Sequence, residues 1–152
     1  MNPAPFTLTS TAFRNGGAIP RRFTCDGENV SPDLAWAGAP EDTKALVLVV
    51  IDPDARDFVH WLAYDITGTP TGGLLLGVST APDAPAQGTN SFGKHGYGGP
   101  CPPSGTHHYR FTLAAIDTVL VFTGSPRVEG LRAAMAGHVL AEATLTATYS
   151  RA

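Results

Sequence analysis

The sequence predicts a mainly β, antiparallel sandwich with one or two peripheral helices, and three observations carry that prediction. Ala45 to Ile51 is an unbroken apolar run rich in Val, the pattern of a strand buried on both faces. Two later segments, beginning at Phe58 and at His107, alternate with a period of two residues, as half-buried strands do. The 17 Gly and 13 Pro of the 152 residues are scattered rather than clustered, which indicates many turns and no long linker. A chain of this length buries its own core as a single domain, taken here as residues 1–152.

In chain order, the first expected strands are weak ones near Phe6–Thr9 and Leu34–Trp36. The central strand, Lys44–Asp52, stops at Asp52-Pro53, because Pro supplies no ladder N–H and favours a turn. After a short Asp54–Asp57 connection, Phe58–Ile66 should place Phe58, His60, Leu62, Tyr64 and Ile66 on one face. Val59, Trp61, Ala63 and Asp65 then fall on the other, with Trp61 in the core. The stretch 67–95 has few periodic apolar residues and is expected to be a long irregular excursion, a kind of loop that often carries function.

A third strand, from His107 to about Ile116, should put His107, Tyr109, Phe111, Leu113 and Ala115 on one face. His108, Arg110, Thr112 and Ala114 share the opposite one. A weak strand is expected near Val119–Phe122. Ser125-Pro126 has the composition of an N-cap followed by a first-turn proline, with Glu129 suited to the positive end of the helix dipole. Leu131, Ala134, Met135, His138 and Val139 then recur at helical spacing. Ala143–Tyr149 alternates as a closing strand.

Two segments concentrate chemistry where strands meet rigid loops: Asp52-Pro53-Asp54-Ala55-Arg56 with His60, and Gly98–Gly105 with His107 and Tyr109. A carboxylate at the end of a buried strand is costly unless it is paired, and an imidazole is the natural partner. His107 and Tyr109, two residues apart, project from the same face. If the strands are neighbours, Asp52 orients one imidazole while His60, His107 and Tyr109 offer N–H and O–H donors. The glycines of the 98–105 loop let backbone N–H groups approach an anion, and its prolines keep it rigid. Such a site suits a phosphate or carboxylate head group. Taken singly, each residue has a structural explanation as a turn former or a hydrogen-bonded core residue; their joint occurrence favours a pocket.

The order of these segments resembles the two signature regions of the phosphatidylethanolamine-binding protein family, also called Raf-kinase-inhibitor-like proteins. The matching residues are Asp52-Pro53-Asp54-Ala55, His60, Gly99-Pro100-Cys101-Pro102-Pro103 and His107-His108-Tyr109. Gly27–Trp36 and Gly137–Ala141 add to the likeness, which spans nearly the whole chain and points to the bacterial and archaeal branch. The resemblance implies a Greek-key β-sandwich with an anion pocket formed by Asp52, His60, His107 and Tyr109, with Gly99 and Pro102 lining the loop. His108 lies outside that set. It further implies a binding protein that modulates a partner such as a kinase or protease, and a homodimer. Two positions depart from the family pattern: Arg56, where Pro is usual, either loosens the rim or adds a cation near the anion, and Asp33 replaces a second Pro.

A net charge of −3 and a pI near 5.9 disfavour nucleic acid and anionic membrane surfaces as partners, since both call for a basic patch. The N-terminal Met1–Phe13 lacks the pattern of a targeting signal, and no apolar run approaches a membrane span, so no stable membrane insertion and a cytoplasmic location are expected. Two cysteines, Cys25 and Cys101, are then expected as free thiols. No cofactor is implied. Two alternatives to a binding protein are a hydrolase using Cys101 or Ser104 with His107, and a metal site on Asp52, His60 and His107. Against the first, Cys101 lies between prolines with no helix N-terminus, and Ser104 lacks a strained elbow. Gly93–Gly99 has neither of the common phosphate-loop spacings.

Overall fold

The structure, a computed structural model, describes residues 5–151; part of the N-terminal stretch considered above therefore lies outside the described residues. Two antiparallel sheets face each other. The smaller has the order β1 (Thr7–Thr9), β2 (Leu34–Ala37), β5 (Gly72–Leu74). The larger has the order β6 (Ala86–Gln87), β4 (Phe58–Thr67), β3 (Ala45–Asp52), β7 (Gly105–Ile116), β8 (Val139–Arg151). One α-helix, α1 (Val128–Met135), covers part of the larger sheet's outer face. The mainly β fold class expected from the sequence is thus the one observed. No helix of the described residues is long and apolar enough to cross a membrane.

The continuous apolar run of β3 is explained by its two neighbouring cores. Leu46, Leu48 and Val50 point inward, where they meet Leu8, Leu34 and Trp36 of the small sheet and Phe111 and Leu113 of β7. Ala45, Val47, Val49 and Ile51 point outward under Leu131 and Met135 of α1. Every residue of β3 is buried. Asp52 continues the inward series, so its carboxylate enters the space between the sheets.

Strand β4 departs from strict alternation. Ile51 pairs with Val59 but Val50 pairs with Trp61, which leaves His60 as the extra residue of a β-bulge. A bulge turns two successive side chains to the same side. Trp61 therefore shares the inner face with His60, against the expectation that they oppose each other, while Leu62 and Tyr64 go to the outer core. A second register shift between Leu46 and Leu48 leaves Asp65 exposed at φ 51° and returns Ile66 to the inner face.

Several local expectations are corrected. Val119–Phe122 forms no strand: Val119 and Val121 are exposed, the Leu120 N–H donates to Asp65 Oδ1 at 2.8 Å, and only Leu120 and Phe122 turn into the outer core. The helix begins at Val128 with Arg127 as its N-cap. Ser125 instead bonds Thr89 and His95 through its hydroxyl. The 67–95 stretch contains β5, β6 and a 3-10 turn at Val78–Thr80. It is ordered by a polar hub in which Gln87 Oε1 accepts from Trp61 Nε1 at 2.8 Å and from Ser79 Oγ at 2.6 Å, while Gln87 Nε2 donates to the Ser79 carbonyl.

Cys25 and Cys101 are joined in a disulfide, their Cα atoms 5.4 Å apart, contrary to the expectation of two free thiols. Spacing alone could not reveal this, because the two cysteines stand 76 positions apart; beside the bond the Cys25 N–H also meets the Pro100 carbonyl at 3.1 Å. Asp33, the second departure from the family pattern, accepts from the Thr11 N–H and hydroxyl at 3.0 and 2.9 Å. It secures the segment after β1 and takes no part in the pocket described next.

Candidate functional site

At the end of the inner core where β3, β4 and β7 run out, a pocket of about 210 Å³ opens. Its polar wall is Asp52, His60, His107 and Tyr109, and its apolar rim includes Ala55, Phe58, Phe92 and the Cys101–Pro103 segment. The register explains the convergence. Ile51 pairs with Arg110, so the next inward residue of β3, Asp52, comes beside Tyr109, and Asp52 itself pairs with Phe58. His107 follows two residues before Tyr109 on the same face, and the bulge turns His60 inward.

Asp52 is 3 % exposed. Its Oδ1 accepts from the Asp54 N–H at 2.9 Å, capping the 3-10 turn Pro53–Ala55. Its Oδ2 lies 2.6 Å from His107 Nδ1. His60 does not pair with Asp52. Its Nδ1 lies 2.7 Å from the Gly98 carbonyl, which can only accept, so Nδ1 carries the proton. Burial pushes the His60 pKa below its ordinary value, against smaller opposing pulls from the Gly98 carbonyl and Asp52. The imidazole also packs edge-on against Tyr109 and Phe92, 5.1 and 5.6 Å between ring centres.

Tyr109 is 1 % exposed, and its hydroxyl is buried with no hydrogen-bond partner among the described residues. Burial, helped by the neighbouring Asp52 charge, pushes its pKa well above the usual value and keeps the phenol a neutral donor. A buried polar atom left unpaired costs about 1–3 kcal/mol, so this hydroxyl is the fully buried wall atom still in want of a partner among the described residues.

Five of the six residues singled out in the sequence line the pocket: Asp52, His60, Pro102, His107 and Tyr109. Gly99 stands behind it. A Cβ on Gly99 would come within 2.2 Å of the Phe23 carbonyl oxygen, and its N–H donates to Asn29 Oδ1 at 2.8 Å. The Gly98 N–H likewise donates to the His60 carbonyl at 2.8 Å. These loop glycines serve close packing, and their N–H groups are not offered to an anion as the sequence suggested. His108 faces away, its ring and backbone N–H both meeting Asp54 Oδ2 at 2.8 Å. Arg56 adds no cation to the pocket; it caps the 3-10 turn at φ 54° and borders a separate polar cleft with Asp57 and Arg127.

Sequence reasoning missed the aromatic rim. Phe58 was legible, since it stands two residues from His60 on the same face. Phe92 was not: it is set in place by Asn90, whose side chain accepts from the Phe92 and Lys94 N–H groups and donates to the Gly96 carbonyl. The chemistry of the alternatives is also constrained. Cys101 is bound in the disulfide, and Ser104 makes no hydrogen bond to His107 among the described residues. No group of three His, Cys, Asp or Glu side chains among them is arranged to hold a metal ion.

A family model described as phosphatidylethanolamine-binding protein matches residues 9–150. A UPF0098 protein of Methanothermobacter thermautotrophicus is 47% identical over 149 residues, covering 95% of this chain and 98% of the relative. A solved phosphatidylethanolamine-binding protein homolog from Chlamydia trachomatis superposes with a TM-score of 0.89 at 37% identity, over 97% of this chain and 98% of that one. E. coli YbcL, described as a new member of the mammalian family, gives 0.88 at 31% identity, over 98% of this chain and 100% of its own.

Proposed function

The chain belongs to the phosphatidylethanolamine-binding protein family, and from that premise we propose that it is a single-domain, non-catalytic binding protein for a small anionic head group. The ligand, a phosphate or carboxylate, docks against Asp52, His60, His107 and Tyr109 beneath the Pro102 rim, with Gly99 holding the loop in place. The observation that carries this reading is the Tyr109 hydroxyl, buried and unpartnered in a wall that also presents two imidazoles. A ligand oxygen accepting from it removes the cost of leaving it unpaired. The aromatic and proline rim suits the apolar neighbour of a head group.

Occupancy then modulates a protein partner of the kinase or protease class, and the chain acts as a homodimer; light scattering after size exclusion tests the dimer directly. The cytoplasmic location expected from the sequence is held subject to the Cys25–Cys101 bond. Disulfides persist in oxidising compartments and in the cytosol of hyperthermophiles, and thiol labelling at the moment of cell lysis distinguishes a reduced from an oxidised pool.

The deciding experiment is calorimetric and NMR titration with phosphate, acetate and O-phosphorylethanolamine. The expected result is saturable binding of at least one of them, with shifts at His60, His107 and Tyr109, and its loss in the His60→Ala, His107→Ala double variant. Binding of none of the three, or undiminished binding by the double variant, removes the proposal.

A further inference from the structure

The outer face of the larger sheet carries a second pocket, of about 280 Å³, separated from the first by the sheet itself. It arises because the roof is too short. Helix α1 has eight residues and spans about 12 Å, whereas the eight residues of β3 extend over about 26 Å. The pocket beside the helix is bedded on Val47, Val49, Ile51 and Ala114 of the sheet, with Met135 at the end of α1 forming its side, each no more than 8 % exposed.

Charge is placed on this rim in a lopsided way. Arg110, which pairs with Ile51 in the sheet, enters from β7, and Arg132 enters from α1. Among the described residues neither guanidinium has an ion pair or a side-chain hydrogen bond, so both are available to a ligand in this pocket. One carboxylate, Glu142, shares the rim. Two cations against one acid leave room for a single negative charge. A planar guanidinium fork matches a carboxylate better than a spherical ion. An apolar bed with a few polar anchors is the usual composition of a small-molecule site.

We propose that this pocket is a second binding site, independent of the first, for a small amphipathic monocarboxylate. Its aliphatic or aromatic body lies on the Val47–Val49–Ile51 floor, and its carboxylate is held by Arg110 and Arg132. Glu142 disfavours a dianion.

The test uses the whole chain with octanoate as probe and 1-octanol as its uncharged counterpart, followed by calorimetry and amide NMR. Octanoate is expected to bind saturably, with shifts at Val49, Ile51, Thr112 and Met135 and none at His60, His107 or Tyr109. Octanol should bind about tenfold more weakly, as should octanoate to the Arg110→Ala, Arg132→Ala double variant, as expected for loss of a charge-assisted hydrogen bond. Thr112→Trp, which fills the pocket and leaves both cations, should abolish binding. Phosphate titration of the first pocket should be unchanged in every variant. The proposal is overturned by octanol binding as tightly as octanoate, by shifts confined to the His107 side of the sheet, or by no saturation up to about 10 mM probe.

Discussion

His107 donates a hydrogen bond from Nδ1–H to Asp52 Oδ2 across 2.6 Å, tying the start of β7 to the end of β3. His60 spends its own Nδ1 proton on the Gly98 carbonyl. Both imidazoles are therefore held by the same ring atom, and among the described residues neither Nε2 has a hydrogen-bond partner. In the neutral ring that atom is a lone pair. A fully ionised anion would meet two lone pairs and one hydroxyl, so its binding requires a proton.

Anion binding is accordingly expected to take up a proton and to weaken as pH rises. Burial holds the pKa of free His60 below its ordinary 6.5, and a bound anion raises it. Between those two values the affinity for acetate, which stays ionised from about pH 6 to 8, should fall by up to about tenfold per pH unit for one linked proton. The sign for the empty protein follows from the same shift. A depressed folded-state pKa makes the neutral imidazole the stabilising form, so stability is present above about 6.5 and declines as pH falls toward the folded value. Calorimetry in two buffers of different ionisation enthalpy measures the proton uptake, and acetate affinity constant over this range would contradict it.

Tyr109→Phe separates ligand binding from folding. The hydroxyl has no partner to lose among the described residues, so its removal should leave stability unchanged or raise it by about 1 kcal/mol. Anion affinity should fall by about tenfold, the worth of one hydrogen bond to a charged group. Chemical denaturation and an acetate titration on the same sample give both quantities. A destabilised variant with unaltered affinity would mean that the hydroxyl is a structural group.

How far the sequence disclosed this arrangement depends on whether a feature follows from neighbours along the chain. The buried β3, the Tyr109 face of β7 and the Asp52–imidazole partnership all follow from two-residue alternation and the cost of an unpaired carboxylate. The bulge at His60 does not, because an extra residue in one strand is visible only once β3 is laid beside it; this is why strict alternation opposes Trp61 to His60, although Trp61 is in the core as expected. The Phe92 rim and the Cys25–Cys101 bond depend on contacts between segments distant in sequence. Val119–Phe122 has strand composition, but Asp65 takes the Leu120 N–H that a ladder would have used. The glycines at 98 and 99 stand out in the sequence as groups that could expose N–H donors, but what they supply is space.

Arg56 has a conformation that its side chain does not explain. It and Asp57 both lie in the left-handed region, at φ 54° and 58°, where an L-residue with a Cβ is strained by about 1–2 kcal/mol. Arg56→Gly should recover part of that strain, offset by glycine's larger chain entropy, for a net gain of about 0.5–1 kcal/mol. Because the side chain borders the polar cleft and not the anion pocket, acetate affinity should stay the same. A loss of affinity would place the Arg56 charge within reach of the ligand after all.

Reduction of the Cys25–Cys101 bond should act on stability and on the anion pocket together. The bond joins residues 76 positions apart, and opening a loop of that size costs about 4.5 kcal/mol in the chain-entropy model, or about 10–15 °C in melting temperature for a domain of this length. Cys101 stands on the rim beside Pro102 and Pro103. Among the described residues the rim segment is also held by the Cys25 N–H donating to the Pro100 carbonyl at 3.1 Å and, on the Cys101–Pro103 stretch itself, by Arg151 Nη1 donating to the Pro102 carbonyl at 3.2 Å. The Arg151 guanidinium is itself fixed by Asp26, next to Cys25; hydrogen bonds from Arg151 and Tyr149 hold the Asp26 pKa down at about 2. That tether should preserve some binding after reduction, so acetate affinity is expected to weaken by several-fold without vanishing, whereas adding Arg151→Ala to the Cys25→Ala, Cys101→Ala background should remove it. Thermal melts and acetate titrations with and without reductant measure both effects, and identical affinity in the oxidised chain and the triple variant would show that the rim plays no part in holding the anion.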